Sequence, residues 1–151
     1  IIAEIVPFKP NVKKLSEQIG ISRESFTRYL KFLEKAEIVN LLYSQSKGIS
    51  FLNKPEKIYL NNSNISFALN KNANIGSVRE TFFINQLNPF HRVRFSKRGD
   101  FKVDDKYLFE VGGKDKKPGQ IAGEENAWIV ADNIDISNAN KIPLWLFGFC
   151  Y

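Results

Sequence analysis

The sequence predicts an α+β protein in two units, a winged helix-turn-helix over residues 1–62 and a small mixed α/β unit over residues 63–151. Three observations carry this reading. NVKKLSEQIGISRESFTRYLKFLEKAEIV holds two runs of helical period split by a glycine and a serine. Short apolar runs follow it at hairpin spacing. The second half then opens on one helical stretch and continues as five strand-like runs.

Val12, Leu15 and Ile19 repeat at helical spacing. Gly20 stops that helix because it takes the left-handed conformation without a Cβ penalty. Ser22 is an N-cap residue for the next helix, whose apolar stripe is Phe26, Tyr29, Leu30 and Leu33. Ile21 should plug the angle between the two helices, which makes the pair a helix-turn-helix. Ile38 to Tyr43 reads as a strand, SQSKG as a polar tip, Phe51 as the start of a second run and Lys57–Leu60 as a further strand. The opening, Ile1 to Phe8, reads as the end of an earlier helix that Pro7 and Pro10 then break.

The Asn-rich stretch after Leu60 holds a short helix around Ile65–Leu69 and forms the seam between the units. SVRETFFINQLNPF is a helix with Val78, Phe82, Phe83 and Ile84 or Leu87 on its buried side, ended by Pro89. HRVRFSKR alternates, with Val93 and Phe95 inward. FKVDD and KYLFEV form a hairpin that turns at Asp104 and Asp105. WIVAD and IPLWLFGF are apolar throughout and read as central strands, with Trp128 and Trp145 in the core. Between KYLFEV and WIVAD, Gln120–Asn126 is the expected short crossover helix. Cys150 reads as a buried small hydrophobe.

Composition narrows the chemistry. There is no run of eighteen apolar residues, so no membrane-spanning helix is expected. One histidine and one cysteine cannot build a structural zinc site, and no GxxxxGK[ST] phosphate loop occurs. The lone Cys150 and the lack of a signal-like start fit a cytoplasmic location. There is no methionine and Ile1 opens in mid-pattern, so the chain reads as a piece of a longer protein. Net charge is +6, with ten basic against six acidic residues through Leu60 and twelve against ten beyond it. That balance suits nucleic acid, DNA or RNA, or a solvated lysine-rich face equally.

The outward side of the second helix carries Arg23, Thr27, Arg28 and Lys31, residue types that read base edges or grip phosphate, and Lys47 sits at the wing tip. Winged helices also serve as protein-docking modules, so both readings stand. Arg92, Arg94, Lys97 and Arg98 are the corresponding candidates in the second unit.

The run KLSEQIGISRESFTRYLKFLEKAEIVNLLY, with KPEKIYLNN after it, resembles the winged-helix segment of prokaryotic AAA-type ATPases that carry the domain known as DUF4143. GDFKVDDKYLFEVGGK, IAGEENAWIVADN and the terminal KIPLWLFGFCY resemble the restriction-endonuclease-like domain that follows in that group. The resemblance implies that the chain is the C-terminal region of such an ATPase, with ATP and Mg handled by an N-terminal ATPase module that would also be its partner. It further implies a site for Mg or Mn built from Asp100 and Glu110, with Glu80 in support. In a working nuclease of this kind a lysine follows the second acid by two residues, and here that place is Gly112. Lys114 is the nearest substitute. The expectation is therefore a non-catalytic binding and coupling region with no cofactor of its own. The alternatives are a metal-dependent nuclease using Glu80, Asp100, Glu110 and Lys114, and a purely protein-facing module.

Overall fold

A computed structural model describes residues 7–44 and 54–150, so Ile1–Val6, the expected wing tip with Lys47 and the expected run opening at Phe51 lie outside the described residues. Helix α1 (Val12–Gln18) starts where the Asn11 side chain accepts the Lys14 N–H at 3.1 Å. Gly20 turns the chain at a φ of 69°. Ser22 caps α2 (Arg23–Lys35) by accepting the Ser25 N–H at 3.0 Å. Strands β1 (Val39–Leu42) and β2 (Lys57–Leu60) then pair antiparallel. Phe8 lies beside them in an isolated antiparallel bridge to Ile58, so it is extended where the sequence suggested a helix end.

The helix pair and the ribbon share a core of Leu15, Phe26, Leu30, Val39, Leu41 and Ile58, with Ile21 packed against it. Strands β1 and β2 are buried on both faces. Their other face sends Leu42 and Tyr59 into a second and larger core. That is why VNLL is buried at all four positions, and why an alternating polar pattern is missing there.

Helix α3 (Ser63–Leu69) buries no residue. Helix α4 (Ile75–Leu87) begins at Asn74, which accepts the Ser77 N–H, and lays Phe83, Ile84 and Leu87 on a five-stranded sheet. The sheet runs in chain order: β3 (Val93–Phe95), β4 (Phe101–Val103), β5 (Tyr107–Gly112), β6 (Ala127–Ala131) and β7 (Lys141–Pro143). The first three strands pair antiparallel and the last three parallel. Phe83 stacks on Phe101 at 5.2 Å and leans on Phe109 and Phe147. The opposite face carries a smaller cluster of Leu108, Ala127, Ile129 and Ala131, covered by Ile121.

The ribbon joins the sheet directly. The Phe95 N–H of β3 donates to the Tyr43 carbonyl at 3.0 Å. Buried Asn40 accepts from the Asn88 amide at the end of α4 and donates to Asn61. The fold is thus mixed α+β, as the sequence predicts.

Four further expectations are corrected. IPLWLFGF is not a central strand: only Lys141–Pro143 pairs, at the sheet edge, and Leu144–Phe149 winds into a 3-10 helix. A continuous apolar run reads the same whether it extends or coils, and here Leu144 and Phe147, three apart, supply the buried side. Trp145 is accordingly half exposed and Cys150 is exposed. Gln120–Asn126 forms successive turns instead of a helix, with Ile121 alone anchored against the sheet.

Candidate functional site

Arg23, Thr27, Arg28 and Lys31 line the outward side of α2 and all are exposed, because Phe26 and Leu30 turn the other side to the core. The Thr27 hydroxyl donates to the Arg23 carbonyl. Lys31 is tied to Glu34 at 2.9 Å and lies over the Tyr43 ring. Burial alone would lower its pKa, but its contacts with Tyr43 and Glu34 raise it. Arg23 and Arg28 have no carboxylate partner among the described residues. Exposed Tyr29, Phe32 and Ile38 lie on and just beyond the same helix.

The basic residues of the second unit divide into two groups. Arg92 and Arg94 both close on Asp105, at 3.0 and 3.1 Å. Asp104 binds the Arg92 N–H and His91, and those contacts hold its carboxyl below the ordinary value. Asp104 and Asp105 occupy the β4–β5 turn with positive φ, as expected from the sequence. Arg98 pairs with Glu124, whereas Lys97 is exposed with no carboxylate partner among the described residues.

The carboxylates form two separate arrangements. Glu80, on α4, accepts the Tyr59 hydroxyl at 2.6 Å and lies 3.5 Å from the Lys57 amine. Burial raises its pKa; Lys57 opposes that, and the nearby Asp100 adds to it. The Tyr59 hydroxyl is held far above its ordinary pKa, first by burial and then by Glu80, so it stays a donor. Asp100 stands just before β4, and its carboxylate takes the Val111 N–H at 2.8 Å.

Glu110 faces the other way. On β5, Phe109 and Val111 point to α4, and the period of two puts Leu108 and Glu110 on the opposite face. Glu110 is only 3% exposed. One oxygen meets the Lys116 amine at 3.0 Å, while the other is buried with no hydrogen-bond partner.

The amine beside Glu110 therefore comes from Lys116 and not from Lys114. Lys114 is exposed, and only its carbonyl is engaged, by Lys141. A turn closed by the Lys116 N–H on the Gly113 carbonyl brings Lys116 back over Gly112. A Cβ at Gly112 would stand 2.7 Å from the Lys116 side chain, so the missing side chain leaves the room that the lysine occupies. The sequence could have signalled this only through Gly112–Gly113 followed by a second lysine, a pattern with no fixed reach.

Glu80, Asp100 and Glu110 do not gather. Among the described residues no three His, Cys, Asp or Glu side chains group closely enough to hold a metal ion. The donor set thus does not fit a Mg or Mn centre as it stands. No helix among the described residues is long and apolar enough to cross a membrane.

A scan against family models, a search of curated proteins and a search of solved structures each found no match.

Proposed function

We propose that this chain is a non-catalytic binding and coupling region of an AAA-type ATPase, made of a winged helix-turn-helix and a restriction-endonuclease-like domain. It holds nucleic acid on α2. The observation that carries the proposal is the open outward side of α2, where Arg23 and Arg28 are exposed and unpaired among the described residues. An arginine spent on a neighbouring carboxylate grips phosphate poorly, whereas a free one loses little on binding. Exposed Tyr29, Phe32 and Ile38 suit docking of the N-terminal ATPase module. The coupling role rests on Leu42 and Tyr59, which pack into the core of the second unit. A force applied to α2 is then felt at the sheet.

The test is DNA and RNA binding at two salt concentrations, with Arg28→Ala and Arg23→Ala alongside. Arg28→Ala should weaken binding evenly across sequences and reduce the salt slope by about one. Unchanged affinity and slope in the double variant would overturn nucleic-acid contact through α2.

One observation favours a second reading, a metal-dependent nuclease: Lys116 restores beside Glu110 the amine that Gly112 lacks. Against it stands the scattered donor set. Incubation of a DNA duplex with the protein and Mg or Mn should leave the duplex intact. Degradation that disappears in Glu110→Gln would establish the nuclease instead.

A further inference from the structure

The sheet face turned away from α4 holds a cleft of about 330 Å³ whose walls are strongly charged. Its floor is Leu108, which is buried. Lys102 pairs across the strands with Leu108 and so projects from the same face; Lys106, two residues before Leu108, also lines the cleft. Lys97, Arg98, Glu124 and Glu125 line it as well. Ser96 ties down the Lys97–Arg98 segment, since its hydroxyl donates to the Arg98 carbonyl and accepts the Arg98 N–H.

The ion pairs sort these groups. Arg98 is held across the cleft by Glu124. Lys97, Lys102 and Lys106 have no carboxylate partner among the described residues, and Lys106 rests over the Tyr107 ring. Around this concavity Lys97, Arg98, Lys102 and Lys106 outnumber the carboxylates of Glu124 and Glu125, a positive excess that an anion offsets. Arg92 and Arg94, the other two arginines on β3 and at its start, are already satisfied by Asp105 and lie outside the cleft.

We propose that this cleft is a phosphate-binding site, with Lys97, Lys102 and Lys106 as its standing cations and Arg98 released to it from Glu124. The ligand carries at least two phosphate charges, either as a free diphosphate group or as the phosphorylated end of a nucleic acid. Glu124 acts as an internal competitor: it occupies the Arg98 guanidinium until a stronger acceptor arrives. The proposal is independent of α2, since no residue of that helix lines the cleft.

The test uses the whole chain and two probes, inorganic diphosphate by calorimetry and a 5′-phosphorylated oligonucleotide by anisotropy. Lys102→Ala with Lys106→Ala should weaken diphosphate binding about tenfold or more, while Glu124→Gln should tighten it severalfold. Opposite signs from two sides of one cleft are not produced by loss of folding, and thermal melting should confirm that the variants stay folded. Displacement of the phosphorylated oligonucleotide by diphosphate, with loss of affinity when the 5′-phosphate is removed, would identify the nucleic-acid end as the source. Diphosphate binding alone would identify the free anion. No binding of either probe, or binding that both variants leave unchanged, overturns the site. If the lysine variant leaves both diphosphate and oligonucleotide binding unchanged while Arg28→Ala weakens the oligonucleotide, the cleft is refuted and the α2 reading stands.

Discussion

Two largely buried carboxylates look out from opposite sides of the same sheet. Glu80 sits on the α4 side, where the Tyr59 hydroxyl and the Lys57 amine reach it from β2. Glu110 sits on the far side, with Lys116 on one oxygen and nothing on the other. Glu80 is thus satisfied by a different unit and fastens that unit to α4. Glu110 is served from its own loop and keeps a bare acceptor. Similar chemistry makes a joint in one place and an incompletely filled site in the other. The difference lies in who supplies the partners: Glu80 draws on long-range packing, whereas Glu110 depends on a turn of four residues.

The comparison can be broken most severely at Lys116. Lys116→Met leaves Glu110 buried without a counter-charge and should cost about 3 kcal/mol in chemical denaturation, with most of it recovered when Glu110→Gln is added. A cost unchanged by the second substitution would mean that packing, and not charge, is what Lys116 supplies. Tyr59→Phe tests the other carboxylate. It removes the hydroxyl donor of Glu80 and should cost about 2 kcal/mol, with both units still unfolding in one transition. Two transitions would show that the shared core of Leu42 and Tyr59 does not bind the units into one cooperative fold.

Gly112→Ala is milder. Its Cβ would press on the Cβ, Cγ and Cδ of Lys116, which must shift as a whole. A loss of about 1 kcal/mol is expected, read from the denaturation midpoint. The smallest effect is in pH dependence. Glu80 has a raised folded pKa, so above its ordinary value of 4.5 the unfolded chain releases a proton that the folded chain retains. Stability from this group therefore falls as pH rises from about 4 towards neutrality. Glu80→Gln should remove that slope, so that the variant gains on the native chain as pH increases. A variant that loses ground over that interval would show that the Lys57 contact outweighs burial.

Much of this architecture was legible in the residues themselves. Gly20, Ser22 and the stripe through Phe26 and Leu30 define α2 without reference to anything distant, since caps and period are local. The Asp104–Asp105 turn is legible for the same reason. What escaped is what depends on tertiary reach. Lys116 lies six residues beyond Glu110, and only the path of the intervening turn brings it back. Tyr59 reads as one apolar residue in a short strand, yet its hydroxyl sits on an acid 21 residues later. LWLFGF was misread because hydrophobicity alone does not separate a strand from a coil. Lys102 and Lys106 carry no spacing signal that marks a site, because the residues lining their cleft come together only once the chain has folded.

The bond from Phe95 to Tyr43 has a consequence for solubility. Strand β3 is an outer strand, and an uncovered outer strand offers its free amides to any passing chain. Here the ribbon blocks part of that row while Leu42 and Tyr59 fill the hollow beneath it. The amino-terminal unit thus covers part of that edge, and a polypeptide beginning after Asn62 would expose it and tend to self-associate.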